Sequence, residues 1–228
     1  MSLRGNILAS YASQGYVSVI GIVVVPQYIK YMGAEAYGLV GFFVMLQAWF
    51  NLLELGLTPT IARESARFNG GVLAALDYRR LVRALEGVFL VVTVTGGLLL
   101  FCSSGWIGSN WLNASKLGVE EVTSSLQLVA AIVALRWMCG LYRGVITGFE
   151  KLVWLSGFNA AVATLRFVAV LPLLLFVDAT PVSFFRYQLA VAVFEFAGLA
   201  WYSYRLIPSS PLAEHLKWEW ANFGGKEL

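Results

Sequence analysis

Five charged side chains lie inside apolar stretches of this sequence, where the loss of hydration makes a charge costly. They are Arg136, Arg166, Glu54, Glu86 and Glu195. An arginine near the centre of a bilayer costs roughly 2.5–3.5 kcal/mol even on a lenient insertion scale, so each such group needs a partner or a hydrated cavity. A guanidinium pairs with phosphate or pyrophosphate through two parallel hydrogen bonds. These residues therefore indicate either ion pairs within a membrane or a site where the arginines bind an anionic group.

Uncharged polar residues repeat on the same helical faces as these charges. In the second apolar stretch four polar residues recur at i, i+4, i+7 and i+11: Gln47, Asn51, Glu54 and Thr58. That spacing puts them on one face of a helix, and the face must look into protein or water. The same argument adds three amides to the candidate cavity wall: Gln14, Asn159 and Gln188.

The mid-depth arginines have two interpretations that the sequence leaves open. Each is either an internal counter-ion of Glu195 or Glu86, or a ligand for an anionic substrate. Arg143 shares a helical face with Arg136, seven residues away. It lies near the end of its span, so its long side chain is expected to extend to the cytoplasmic surface.

Composition predicts an all-α integral membrane protein. The 228 residues are 59% hydrophobic and 13% charged, with a mean hydropathy of +0.73, outside the range of soluble proteins. About six transmembrane helices are predicted. The first covers residues 7–29, and a turn at 32–38 leads into the second, which ends near residue 57. The other four cover residues 81–102, 122–147, 153–177 and 182–206. The net charge of +3 is too small to favour nucleic acid as a partner. Cys102 and Cys139 are predicted to lie too far apart for a disulfide bond.

Arginines in the loops predict the orientation. Five of them follow the second span and precede or begin the third: Arg63, Arg67, Arg79, Arg80 and Arg83. Such clusters beside span ends are retained in the cytoplasm, which places both termini there as well. We expect these five residues to set the topology and to have no role in substrate binding.

Two stretches resemble one known family. Residues 26–67, PQYIKYMGAEAYGLVGFFVMLQAWFNLLELGLTPTIARESAR, contain a Gly-x-Glu-x-Tyr-Gly turn and a helix ending Leu-Glu-Leu-Gly-Leu. They are similar to bacterial Wzx-like polysaccharide flippases, the oligosaccharide branch of the multidrug/oligosaccharidyl-lipid/polysaccharide exporters, and the resemblance extends over residues 6–67. Residues 141–167, LYRGVITGFEKLVWLSGFNAAVATLRF, resemble that family's link between its fourth and fifth spans.

The resemblance implies a MATE-like transporter with two lobes. Residues 1–207 would form the six-helix N-terminal lobe, and residues 208–228 would begin a cytoplasmic connector to a second lobe. The implied activity is flipping of an undecaprenyl-pyrophosphate-linked oligosaccharide across the bacterial inner membrane, by alternating access, for O-antigen or exopolysaccharide synthesis. The implied partners are this lipid-linked oligosaccharide, membrane lipid, and the polysaccharide polymerase and export machinery.

Alternatives remain from the same superfamily and from another class. A drug/cation antiporter would favour an acidic cavity, whereas a peptidoglycan-precursor flippase would share the architecture. The alternative from another class is a non-transporting membrane partner or assembly factor, in which the polar helical faces serve only helix packing. The sequence contains no phosphate-binding GxxxxGK[ST] loop, no His/Cys metal cluster and no GxSxG nucleophile motif. We therefore expect no enzymatic activity, cofactor or metal.

Overall fold

The computed structural model describes residues 3–53, 56–110 and 117–208. Within these ranges the chain forms α-helices and no β-strand, which confirms the predicted all-α class. The helices are α1 (Leu3–Val23), α2 (Val25–Met32), α3 (Ala34–Leu53), α4 (Leu57–Asn69), α5 (Ala75–Asn110), α6 (Val119–Gly148), α7 (Leu152–Phe167), α8 (Val170–Phe176) and α9 (Pro181–Leu206). The predicted connector, from 209 onwards, lies outside the described residues.

Five helical segments are long and apolar enough to cross a membrane, as judged by length and composition. They are Ile7–Met32, Ala75–Ser109, Val119–Gly148, Leu152–Phe176 and Pro181–Leu206. The predicted second span corresponds to α3, whose apolar part, Ala34–Phe50, is shorter than the other five. The described chain thus has the helices of a multi-pass membrane protein, with five clear spans where the sequence predicted about six.

Two spans that the sequence predicted as continuous are each broken by a proline. Proline lacks an amide hydrogen, and its ring clashes with the carbonyl four residues earlier. The ring of Pro26 excludes a helical hydrogen bond to the carbonyl of Ile22, so the first span divides into α1 and α2. Pro172 has the same effect at Val168, so the fifth span divides into α7 and α8. The two broken spans also pack together, α1 against α7 and α2 against α8.

Side chains from neighbouring helices satisfy the backbone at the second break. The carbonyl oxygens of residues 165–167 each accept a hydrogen bond: Tyr187 Oη donates to the first at 2.9 Å, Gln188 Nε2 to the second at 3.0 Å, and Tyr28 Oη to the third at 2.9 Å. Backbone groups have no water to bond in hydrocarbon, so a break there persists only with such partners.

Helix α6 forms the centre of the bundle and packs against α3, α4, α5, α7 and α9. It approaches α4 closely at two glycines. A Cβ added at Gly144 would lie 2.9 Å from the carbonyl oxygen of Thr58, and one at Gly148 would overlap that of Ala62. Helix α4 therefore packs backbone to backbone on α6.

The predicted topogenic arginines lie at the end of the bundle where α6 ends. Arg63 and Arg67 on α4 pair with Glu64, with nitrogen-to-oxygen distances of 3.3 and 2.9 Å. The other three lie in the first turns of α5: Arg79, Arg80 and Arg83. Tyr78 ties the two helices together through a 2.7 Å hydrogen bond between its hydroxyl and that of Ser65.

The connection between the first two spans is tighter than the sequence predicted. A turn over residues 32–38 is wrong, because α2 ends at Met32 and α3 begins at Ala34. Gly33 alone separates them, with φ of +85°, in a region that a side chain disfavours. Glycine at this position therefore permits the abrupt change of helix direction.

The two cysteines are free thiols, as predicted. Cys102 is exposed on α5, and Cys139 is buried in α6. Cys139 packs within the apolar cluster around α6, where it acts as a small hydrophobic residue.

Hydrogen bonds from the residues before α9, which lie between two spanning segments, fix the start of this helix. Thr180 is its N-cap and accepts from the Ser183 amide at 3.3 Å. The hydroxyls of Thr180 and Ser183 both donate to Asp178 Oδ2 at 2.8 Å. These bonds hold the pKa of the Asp178 carboxyl below its usual value, because they stabilise its ionised form.

Candidate functional site

Three guanidinium groups converge on one buried carboxylate at the centre of the bundle. Glu195, near the middle of α9, has a side chain only 1% exposed. Arg143 of α6 donates to Glu195 Oε1, and Arg166 of α7 donates from Nη2 to Glu195 Oε2 at 2.8 Å. Arg136 of α6 approaches less closely, with Nε 4.0 Å from Oε2. We call these four residues the central ion cluster.

The central ion cluster carries an excess of positive charge. Three arginines share one carboxylate, and both oxygens of Glu195 are already engaged by Arg143 and Arg166. Burial of an unbalanced charge is costly unless a further anion or water is close by. The cluster is therefore suited to receive an anionic group.

Arg136 is the least neutralised member of the cluster. Its Nη1 donates to Gln47 Oε1 at 2.9 Å, and its guanidinium lies 5.0 Å from the centre of the Phe43 ring. Its Nε and Nη2 are buried and have no hydrogen-bond partner among the described residues. The side chain is only 7% exposed. These two donors are the strongest candidates to bind an anion.

The cluster borders a cavity of about 590 Å³ between α3, α6, α7 and α9. The cavity also reaches Thr58 at the second residue of α4. Trp137 adds an indole nitrogen, Nε1, which is buried without a hydrogen-bond partner in the described chain. The lining residues are Val44, Gln47, Ala48, Phe50, Thr58, Val133, Arg136, Trp137, Gly140, Arg143, Arg166 and Glu195.

A second cavity, of about 440 Å³, lies on the side of the cluster that faces α1 and α7. Arg143, Arg166 and Glu195 line both cavities, so the cluster forms a shared wall. The remaining lining residues are Ser13, Gln14, Val17, Ser18, Asn159, Val162 and Ala163. The Oδ1 atom of Asn159 is buried and has no hydrogen-bond partner in the described part of the chain.

The structure brings six of the ten sequence-predicted candidates together at these cavities. They are Gln14, Gln47, Arg136, Asn159, Arg166 and Glu195. Glu54 lies outside the described residues, and Asn51 belongs to α3, but its side chain is not described. Of the polar residues predicted on one face of the second span, Gln47 and Thr58 line the cavity, but they lie on different helices, α3 and α4.

Two further candidates occupy other places in the fold. Glu86 on α5 accepts hydrogen bonds from the hydroxyls of Tyr142 and Tyr204, away from the cavity-lining residues. Gln188 is buried and donates to the carbonyl of Arg166, so that its amide supports the broken fifth span.

Two members of the site, Arg143 and Trp137, were not among the residues predicted for it. The expectation that Arg143 extends to the cytoplasmic surface is wrong, because its guanidinium turns inward to Glu195 and remains half-buried. The signal was present in the spacing, since Arg143 stands seven residues from Arg136 on the same helical face. Trp137 gave no such signal, because an indole in an apolar span is an ordinary packing residue.

The sequence matches no family model, and neither curated proteins nor solved structures contain a match to it. The fold and the site nevertheless define a class. The protein is an α-helical membrane protein with broken spans and a positively charged central cluster between two cavities.

Proposed function

We propose that this protein is a transporter that flips an undecaprenyl-pyrophosphate-linked oligosaccharide across the bacterial inner membrane. The observation that carries the proposal is that two buried donors of Arg136, Nε and Nη2, lie beside a cavity of about 590 Å³ and have no hydrogen-bond partner among the described residues. Guanidinium binds phosphate oxygens in a planar, two-point geometry that a pyrophosphate satisfies. The resemblance of residues 26–67 and 141–167 to Wzx-like flippases supports the same assignment.

The two cavities suit the parts of such a substrate. A pocket of a few hundred cubic ångströms accommodates a small ligand or a headgroup. The cluster would hold the pyrophosphate, while the amides of Gln14, Gln47 and Asn159 offer hydrogen bonds to sugar hydroxyls. The apolar lipid tail would stay in the bilayer, where it loses no hydrophobic contact.

Alternating access in a MATE-like pair of lobes is the proposed mechanism. Broken helices are frequent in transporters because the two halves of a span can move separately and freed backbone groups can line the site. Here the breaks at Pro26 and Pro172 lie in spans that pack together, and Tyr28 of one span binds the carbonyl of Phe167 in the other. A tilt of α1–α2 would thus be transmitted to the helix that carries Arg166.

The charge of the cluster disfavours two alternatives. A drug/cation antiporter needs an acidic cavity, whereas the described residues that line this one include three arginines and a single carboxylate. A purely structural assembly partner gains nothing from buried donors that lack partners, because each costs about 1–3 kcal/mol. A peptidoglycan-precursor flippase would bind the same pyrophosphate and differs only in the sugar.

Flipping of a labelled lipid by the purified protein tests the proposal. We expect proteoliposomes to transfer a fluorescent undecaprenyl-pyrophosphate-linked oligosaccharide between leaflets, measured as loss of protection from an impermeant quencher. The control lipid carries the same sugar without the pyrophosphate and should not be transferred. If the fluorescent lipid is protected from the quencher equally in proteoliposomes and in empty liposomes, the protein does not transport it. Transfer only of a peptidoglycan precursor would reassign the substrate.

We propose that the arginine-rich end of the bundle faces the cytoplasm, with both termini on that side. In a variant lacking Cys102 and Cys139, a single cysteine at Ala34, which is exposed between the first two spans, should react with an impermeant reagent in intact cells. A cysteine at Asn69, exposed at the end of α4, should react only after the membrane is opened. Reaction of Asn69→Cys in intact cells would reverse the orientation.

The proposed partners follow from the substrate. A flipped lipid-linked oligosaccharide must be consumed by a polymerase or export system on the far side of the membrane.

A further inference from the structure

A third cavity lies on the outer side of the bundle, apart from the central ion cluster. It has a volume of about 380 Å³ and runs between α5, α6 and α9. Its lining residues are Phe101, Ser124, Gln127, Leu128, Ala131, Val182 and Arg186. None of these residues lines either of the central cavities, so this groove is a separate feature.

The groove has a polar end and an apolar end. Arg186 lies five residues into α9 and Ser124 five residues into α6, about 7.5 Å from the helix starts at 1.5 Å per residue. Leu128 and Ala131 lie further along α6, and Phe101 closes the groove from α5. The cationic and hydroxyl groups are thus nearer the membrane surface than the apolar floor is.

The polar side chains of the groove are available to a ligand. Arg186 is exposed, and neither it nor the side chains of Ser124 and Gln127 make a hydrogen bond or an ion pair within the described part of the chain. Two acidic residues in the first turn of α6, Glu120 and Glu121, are not among the lining residues.

We propose that this groove binds an anionic phospholipid from the surrounding leaflet. The guanidinium of Arg186 would pair with the lipid phosphate, and Ser124 and Gln127 would donate to its remaining oxygens. One acyl chain would lie over Leu128, Ala131 and Phe101. Basic pockets between transmembrane helices bind lipid headgroups through this combination of charge and apolar surface. The proposal does not depend on the function proposed for the central cavities.

Native mass spectrometry of the purified protein, titrated with phosphatidylglycerol, tests this site. We expect Arg186→Gln to weaken phosphatidylglycerol binding about tenfold, the loss expected when one charge-assisted hydrogen bond is removed. Ala131→Phe should weaken it comparably without a change of charge, because Ala131 is exposed and its enlarged side chain would fill the groove. The matched control is Arg205→Gln at the opposite end of α9, which should retain wild-type affinity.

Three results would overturn the proposal. Wild-type affinity in both Arg186→Gln and Ala131→Phe would show that the lipid binds elsewhere. Equal binding of diacylglycerol, which lacks phosphate, or of zwitterionic phosphatidylethanolamine would show that the anionic headgroup is not recognised. An equal loss in Arg205→Gln would show that only net charge matters. Size-exclusion profiles and melting temperatures of each variant establish that the comparison is made on folded protein.

Discussion

Replacing Glu195 with glutamine is expected to prevent the protein from accumulating in the membrane. The carboxylate is the shared acceptor for Arg143 and Arg166, and it lies 4.0 Å from Arg136. Its loss leaves three guanidinium groups together in a buried site without a counter-charge. Removal of one partner from a buried ion pair costs about 3–5 kcal/mol, a large fraction of the stability of a typical domain.

Two further variants make the Glu195 prediction specific. Glu120→Gln removes an exposed carboxylate at the start of α6 and should leave abundance unchanged. Adding Arg166→Gln to Glu195→Gln should restore part of the lost protein, because it removes one of the uncompensated charges. The measurement is the level and melting temperature of a detergent-solubilised fluorescent fusion. Wild-type values for Glu195→Gln alone would show that the cluster does not stabilise the fold.

Hydropathy predicted the spans well but not their interruptions. The hydropathy of an apolar run reflects the free energy of transferring its side chains from water into lipid. That free energy is the same for a straight helix and for a broken one. The two breaks depend instead on Pro26 and Pro172, whose effect is local to the backbone. Their consequence, that the first and fifth spans pack together at the breaks, depends on tertiary contacts that a hydropathy pattern does not contain.

Helical spacing identified six polar residues of the cavity walls but could not choose the counter-ion. It placed Arg136, Arg166 and Glu195 on polar faces, and the structure brings these three together. It did not separate Glu195 from Glu86 as partners of Arg136. The choice depends on how α6 is rotated about its axis. Tyr142 contacts Glu86 on α5, whereas Arg143, the next residue and about 100° around the helix, binds Glu195 on α9.

The rotation of α6 also explains the mistake over Arg143. The distance of this residue from the helix end suggested a route to the surface, which is the usual course for a long cationic side chain. A buried carboxylate on the facing helix offers a stronger partner than water at the interface. Only the packing of α6 against α9 reveals that such a partner is within reach.

Replacing Arg136 with glutamine is expected to separate substrate binding from folding. Glu195 retains Arg143 and Arg166 in this variant, so the protein should accumulate at its normal level. The variant loses Nε and Nη2 of Arg136, the two buried donors that have no hydrogen-bond partner among the described residues. One charge-assisted hydrogen bond to phosphate contributes about 1.5–3 kcal/mol. Transfer of the pyrophosphate-linked oligosaccharide should therefore fall at least tenfold, measured in proteoliposomes and as polymer export in cells that express the protein from its own gene.

Three companion variants decide between a ligand and a counter-ion at position 136. Arg136→Lys should recover only part of the transport, because an ammonium keeps the charge but lacks the planar pair of donors. Arg205→Gln, which removes an exposed arginine stacked on Trp201 at the end of α9, should transport normally. If Arg136→Gln instead lowers abundance, and Glu195→Gln added to it restores the protein, Arg136 is a structural counter-ion. Normal abundance with normal export in an Arg136→Gln, Arg166→Gln double variant would eliminate anion binding by the central cluster, because the remaining arginine of the cluster, Arg143, is neutralised by Glu195.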